Sequence, residues 1–482
     1  MSNKSTNLAA VLPSAGSNLA IEERAIPSPG PDEVLVRNHA IAVNPIDWKR
    51  QVMGLYISSY PTILGLDVSG IVEAVGSAVT LFKKGDRVLG LAPVTATGNP
   101  DHAAFQTYTL VQASAIAKLP DTLTFKQAAT LPGAISTASV TLFDVLGLPL
   151  PQQQSTPTLS TTASPSTGIL VWSGASSAGN ATIQLARLAG LKVFASASPR
   201  HHALVRSLGA TEVVDYRSPT AVADLVSAAQ RAGVAIRYAV DCISTEETTP
   251  LVLDVLTKFG GAKKLAHLWT WPEQIAVPDG VEETFVNTVV IWTERRDLAA
   301  RVFNELLPVW LKKGEVVPQT ARVIDGGLEG LQTALEELRK GSRFSRADQE
   351  SVNTLLQAYT VNAIKEEGNK KPFVARARGR SAIEYREPGP NLLERKKVDF
   401  ARDPSDPVYA LLLGLNAATL SQKAITDRLT RIVVFLSSAA GMLYNALWYF
   451  PVLMVAAGPS FGKEACQRHQ GPSTFIESSA IA

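Results

Sequence analysis

The sequence predicts an α/β protein of more than one domain, an irregular barrel-like β domain followed by a doubly wound parallel sheet. Three observations carry that expectation. The chain has 482 residues, beyond the size at which a single hydrophobic core stops growing. Up to about residue 140 short alternating apolar runs are separated by Gly/Pro turns, and from about residue 167 the texture changes to strand, turn and helix, repeated. At that change an apolar strand runs into VWSGASSAGNATIQ (171–184), a turn of small residues that opens at once into a helix.

Composition narrows the class of function. Charged residues make up 18% and apolar ones 46%, a globular balance. A formal net charge of +3 is too close to neutral to suggest nucleic acid or anionic membrane as a partner. The two cysteines, Cys242 and Cys466, exclude a disulfide framework and a four-cysteine zinc lobe. The N-terminal stretch breaks early at Pro13 and lacks the apolar core of a secretory signal, so a reducing, cytoplasmic setting is expected.

In the first domain EVLVRNHAIAV (33–43) sets Val34, Val36, Ala40 and Ala42 at strand period. DVSGIVEAVG (67–76) and DRVLGLAP (86–93) are further strands, and Lys83-Lys84-Gly85-Asp86 makes a tight turn between them. TFKQAATLPGAISTASVTLFDVLG (124–147) reads as helix interrupted around Pro132-Gly133. The Pro/Ser/Thr-rich stretch 149–168 reads as a solvated surface loop.

Strands are then expected at GILVWS (168–173), LKVFASAS (191–198), EVVDY (212–216) and IRYAVDCIS (236–244). Helices fall between them, at AGNATIQLARLAG, RHHALVRSLGA and ADLVSAAQRAG. Apolar strands alternating with helices of this length are βαβ units on a parallel sheet. Residues 296–340 are expected to be helical, with Leu328, Leu331, Leu335 and Leu338 on one packing face.

In a dinucleotide-binding unit the turn after the first strand brings a pyrophosphate to backbone N–H groups at a helix start, which small residues permit. Here Gly174 to Gly179 are all small, although Ser176 stands where G-x-G-x-x-G has its second glycine. Ser176, Ser177, Ala178 and Gly179 are the candidate phosphate contacts. The second strand ends without the acidic residue that holds ribose hydroxyls in NAD sites, and carries Ser198 and Arg200 instead. A hydroxyl and a guanidinium suit a 2′-phosphate, which points to NADPH. Tyr216 covers the adenine or bonds the same phosphate, while His201 and His202 flank it or face solvent.

The order of these parts resembles the medium-chain dehydrogenase/reductase superfamily over about residues 7–343. The likeness rests on NPIDWK (44–49), YPTILGLDVSGIVEAVG (60–76), KKGDRVLG (83–90), SPR (198–200) and DYRSP (215–219). NPIDWK, SASPRHHALVRSLGA and VDCIS are most similar to the zinc-independent branch of quinone reductases, and within it to fungal trans-acting enoyl reductases of polyketide synthesis. The resemblance implies a GroES-like catalytic domain at 1–140, a Rossmann NADPH-binding domain at 141–290 and a return to the catalytic domain at 291–343. An atypical extension, 344–482, follows. Zinc-dependent members need a Cys near 46 and a His near 66; NPIDWK and LGLDVSG offer neither, so no metal is expected.

The implied chemistry is hydride delivery from NADPH to an activated C=C bond of an enoyl thioester or enone, or to a quinone, with the protein stabilising the enolate that forms. Asp47, Trp48 and Lys49 are implied beside the nicotinamide end, Thr137 near cofactor and substrate, and Leu265 as a backbone contact. Val140, Thr141, Val286, Asn287 and Thr288 are implied as substrate contacts. FVNTVVI (285–291) is a substrate wall or a dimer edge, so a monomer and a homodimer both stay open, and a polyketide synthase is the implied partner. Lys49 has three readings: it stabilises an enolate, holds a ribose hydroxyl, or is a surface lysine ending a strand. Asp47 is expected to order its turn rather than to act as a base.

The family closes with a last strand of the catalytic domain, and none is expected after residue 343. That gives an alternative reading, an NADPH-binding protein with impaired catalysis. The stretch 432–458 carries no charge and is long enough to span a bilayer. A membrane tether, a packed helix and a tail from imperfect gene structure all stay open.

Overall fold

The computed structural model describes residues 6–151, 167–341 and 358–362. Most of the expected surface loop and the apolar stretch 432–458 lie outside the described residues.

The alternating N-terminal runs give eight strands: β1 (Asn7–Leu12), β2 (Ala20–Arg24), β3 (Glu33–Val43), β4 (Thr62–Ile63), β5 (Asp67–Val75), β6 (Arg87–Leu91), β7 (Tyr108–Gln112) and β8 (Ile116–Lys118). β1 pairs with β2 and β4, while β3, β5, β6 and β8 follow one another in a larger antiparallel sheet. The Lys83–Asp86 turn forms as the sequence predicts: Asp86 N donates to Lys83 O, and Gly85 takes φ +94°.

Four helices join these strands: α1 (Pro45–Met53), α2 (Val94–Thr97), α3 (Phe125–Ala128) and α4 (Pro132–Ser139). The expected break at Pro132 separates α3 from α4, and α4 continues as a π-helical run, Val140–Val145. NPIDWK is a helix start, not a strand end. Asn44 is the N-cap, Pro45 occupies N1, and Asp47 returns the capping-box bond to the Asn44 N–H at 2.8 Å. Lys49 therefore sits in the first turns of α1, which corrects the reading of it as a strand-terminal surface lysine.

The second texture folds as six parallel strands: β9 (Thr167–Trp172), β10 (Lys192–Ser196), β11 (Ala210–Val214), β12 (Ala235–Asp241), β13 (Lys263–His267) and β14 (Val281–Phe285). They are flanked by α5 (Ser177–Leu188), α6 (His202–Ser207), α7 (Ala221–Arg231) and α8 (Thr249–Thr257). The spatial order β11-β10-β9-β12-β13-β14 is doubly wound, and the strand order reverses beside β9. Ligands bind at the carboxyl ends of strands at such a switch point. β9 is buried on both faces: Ile169 and Val171 join one core, Leu170 and Trp172 the other.

The chain returns through α9 (Arg296–Ala299), a π-helical run, α10 (Leu307–Lys313) and, after an extended break, α11 (Leu331–Gly341). The break corrects the expectation of helix throughout 296–340. Gly314 ends α10 in the left-handed region, and β15 (Ala321–Ile324) follows. Leu328, Leu331, Leu335 and Leu338 are all buried, as their spacing predicts. This returning segment is fastened to the antiparallel domain: Trp292 Nε1 donates to Leu91 O, and Asn304 Nδ2 donates to the Ala113 and Ile116 carbonyls.

The closing strand is present, contrary to expectation. β16 (Ala358–Asn362) lies between β15, parallel, and β3, antiparallel, with Asn362 opposite Ala40 and Tyr359 opposite Val43. β7 pairs with β3 only over residues 33–37, which leaves the edge at 40–43 open for AYTVN. With the sheet closed there, the reason for expecting impaired catalysis is removed.

Candidate active site

Ser176 caps α5, its Oγ accepting the Gly179 N–H at 3.1 Å, and the Asn180 N–H donates to Ser176 O. That leaves the N–H groups of Ser177 and Ala178 at the open helix start, beside the carboxyl end of β9. The turn is fixed from behind, since Gly174 N donates to Ser196 O and Asn180 Nδ2 to Gly174 O. The two flanking glycines serve packing as well as access. A Cβ on Gly179 would stand 2.4 Å from Ser173 O, and one on Gly174 would stand 2.9 Å from Ile183 Cδ1. Ser176, Ser177 and Ala178 keep partly exposed surface on this turn, so the residues present fit a pyrophosphate.

At the end of β10, Ser198 begins a short 3₁₀ turn and Arg200 is exposed. Arg200 Nε donates to His201 Nε2 at 2.9 Å, and His202 Nε2 lies 2.9 Å from Ala197 O. Burial and the neighbouring Arg200 and His202 charges hold His201 below its ordinary pKa. Tyr216 packs partly buried at the end of β11, with the Arg217 guanidinium 5.4 Å from its ring centre.

In the antiparallel domain, three elements meet at a buried carboxylate. Asp67, at the start of β5, accepts from Asn44 Nδ2 (3.1 Å) and from the Gly133 N–H at the start of α4 (2.8 Å). Burial pushes its carboxyl up to about 8, with the nearby Asp47 charge adding to the rise. Asp47 is fully buried as well, and burial raises it to about 6 against the Asn44 N–H and the Arg50 charge. Arg50 is 1% exposed, and burial lowers its pKa. Asp47 thus caps α1 from inside, in line with its expected ordering role.

Lys49 faces the other way. Its Nζ stands 3.2 Å from the ring centre of Trp269, in the segment after β13, and 5.8 Å from that of Trp48. Burial lowers it to about 8. α1 belongs to the antiparallel domain and Trp269 follows a strand of the parallel sheet, so the contact crosses between the two domains.

The other expected residues divide. Thr137 is partly exposed on α4, its Oγ1 donating to Gly133 O. Val140 and Thr141 are fully buried, and Thr141 Oγ1 donates to Thr137 O, so of these three only Thr137 keeps exposed surface. Leu265 is mid-strand in β13, opposite Ala239 and Glu283; the strand's free carboxyl end is His267 to Trp269. Val286 is buried, whereas Asn287 is exposed and caps a 3₁₀ turn through the Val289 N–H. Thr288 starts that turn, just past the edge strand β14.

Sequence reasoning missed Asp67, Asn44, Arg50 and Trp269. A carboxylate inside the apolar run ILGLDVSG was a signal for Asp67; nothing local marked Trp269, 220 residues from its partner Lys49. Ile46 and Leu66 stand near where a zinc site needs a thiolate and an imidazole, and no group of three or more His, Cys, Asp or Glu among the described residues could hold a metal. Catalytic zinc does not fit these residues. No helix among the described residues is long and apolar enough to cross a membrane.

A doubly wound domain with a phosphate-fitting turn, packed against an antiparallel domain, defines a nicotinamide-type oxidoreductase. Family comparison agrees: residues 30–121 match the alcohol dehydrogenase GroES-like domain, and 178–263 match the zinc-binding dehydrogenase family. Trans-enoyl reductase tndF of Aspergillus flavipes is 36% identical over 341 residues, covering 69% of this chain and 95% of that protein. Dehydrogenase orsE of Emericella nidulans is 33% identical over 70% of this chain and 97% of its own length. The crystal structure of CurK enoyl reductase shares the fold at TM-score 0.57 and 18% identity, covering 74% of this chain and 99% of that one. The chain belongs to the medium-chain dehydrogenase/reductase superfamily, with fungal trans-enoyl reductases among its relatives.

Proposed function

We propose that this chain is an NADPH-dependent, zinc-free reductase of activated C=C bonds that acts on enoyl groups in a polyketide pathway. The observation that carries the reading is Lys49, a half-buried ammonium where the two domains touch, with no carboxylate in ion-pair reach among the described residues. An uncompensated cation there is free to meet negative charge as it develops on an enolate oxygen.

When bound, NADPH would supply the hydride that goes to the β-carbon, and a proton from solvent on the α-carbon completes the saturated product. The protein's own residues do the rest. Ser177 and Ala178 N–H groups hold the pyrophosphate at the start of α5. Ser198 and Arg200 select the 2′-phosphate by charge-assisted bonds, and Tyr216 lies alongside. Lys49 stabilises the enolate oxygen, Thr137 lines the approach, and Asp47 with Asp67 keeps α1 and α4 in register. Trp48, the Leu265 backbone and the 286–288 turn complete the walls. The domain reading stands as proposed: catalytic 1–140 and 291–343, nucleotide-binding 141–290.

The relatives named trans-enoyl reductases support a carrier-bound acyl substrate presented by a polyketide synthase. The test is NADPH oxidation against enoyl thioesters, enones and quinones, with NADH alongside. Turnover confined to quinones would replace the enoyl assignment, and NADPH binding without turnover on any acceptor would remove it.

A further inference from the structure

We propose that Trp269 is a positioning residue for Lys49, and that His267 with Glu283 is the clamp that sets Trp269. The inference rests on the reading above, in which Lys49 meets the developing enolate.

His267, at the carboxyl end of β13, is 3% exposed. Its Nδ1 lies 2.7 Å from the Trp269 carbonyl oxygen and its Nε2 lies 2.8 Å from Glu283 Oε2 on β14. Both neighbours accept, so both contacts are hydrogen bonds only when the ring carries a proton on each nitrogen. The ring is boxed in by Trp271, edge-on at 5.2 Å, and by Phe285 at 5.7 Å. Trp271 is itself tied to the Ile275 carbonyl through Nε1. One strand-end residue thereby fixes the backbone that carries Trp269.

The indole then meets Lys49 of α1 in the other domain. An aromatic face attracts an ammonium without consuming its N–H donors, whereas a carboxylate partner would neutralise the charge and occupy those donors. The charged groups nearby are engaged elsewhere. Asp47 and Arg50 on α1 are turned into the core, Asp67 on β5 is bonded to Asn44 and Gly133, and Glu283 holds His267. The ring also keeps water off the ammonium, in accord with the depressed pKa of Lys49. Lys49 is thus presented charged-capable, partly desolvated and, among the described residues, without an acceptor on its donors, which suits a group that must respond to negative charge.

The test uses the full chain and two independent readouts. The first is the pH dependence of Lys49 reductive methylation, followed by peptide mass spectrometry, which needs no substrate. Wild type should reach half-reactivity near pH 8. Trp269→Leu admits water and should move the midpoint toward the ordinary lysine value of about 10.4, Trp269→Phe should stay near wild type, and His267→Gln, which cannot donate to both acceptors, should fall between. The second is steady-state reduction of an enoyl thioester. Trp269→Leu should lower kcat about tenfold with KM unchanged, and Trp269→Phe should restore it. A folded Trp269→Leu protein with a wild-type Lys49 titration overturns the positioning role, and a wild-type titration in His267→Gln overturns the clamp. If no protein, wild type included, reduces any acceptor, the enoyl reductase reading falls while the methylation titration still decides the role of Trp269.

Discussion

The start of α5 and the surroundings of Lys49 are the two halves of one proposed site, and they are built differently. The turn from Ser173 to Gly179 is mostly local: strand, turn and helix are contiguous, and its hydrogen bonds run within the turn and to the adjoining β10, with one distant tie from Gln319 Nε2 to Ser177. The Lys49 side is assembled from α1, β5, α4 and the segment after β13, whose residues lie up to 220 positions apart. A local turn tolerates little change because its backbone is crowded. An assembled cleft can lose one contact and keep its fold, so function should fail there before stability does.

The contrast is tested most severely at Gly179. Gly179→Val places a Cβ 2.4 Å from the Ser173 carbonyl, so the turn must open. Stability should fall by roughly 2–3 kcal/mol in urea unfolding, with NADPH fluorescence enhancement abolished. Lys49→Met should do the reverse: an unchanged unfolding midpoint, but kcat on an enoyl thioester lowered about 100-fold and NADPH affinity nearly intact. Equal losses of stability in both variants would erase the distinction between the halves.

Arg200→Ala refines the local half. Because Arg200 is exposed, the loss should be modest, about tenfold in NADPH affinity by fluorescence titration with NADH binding unaltered. Equal losses for both cofactors would show that Arg200 does not read the 2′-phosphate.

The last contrast concerns the pH dependence set by Asp67. Its folded pKa, about 8, lies above that of an unfolded aspartate. The folded state therefore binds the extra proton, and the stability it gives is full below about pH 4 and is lost as pH rises through about 8. Asp67→Asn cannot ionise and should flatten this decline between pH 4 and 8 in thermal unfolding. An unaltered slope would place the titration elsewhere.

Much of the local half was legible in the sequence. A buried strand, small residues and an amphipathic helix follow in order, and Ser198 with Arg200 stands at the next strand end. The glycines were less fully read: their Cβ clashes are with Ser173 and Ile183, so helix–strand packing demands them. On the assembled half NPIDWK was legible as a motif, although its Asn-Pro-x-Asp capping box was not recognised as a helix start. Val140 and Thr141 were named from chain position, but helix rotation buries them and leaves Thr137 partly exposed. The closing strand AYTVN was missed because five residues carry little periodic signal, and what holds them is the open edge of β3.

The sequence by itself determined the α/β class, the order of the parallel units, the small-residue turn and the lack of Cys and His at 44–49 and 65–68. Those properties depend on residue type and short-range period, which the chain displays directly. Only the tertiary structure decided that Asp67 joins α1 to α4, that β16 closes the sheet, and that Trp269 and His267 stand behind Lys49. Each of these depends on which distant segments share a surface, and side-chain burial and pairing become readable only once the two sheets are in place.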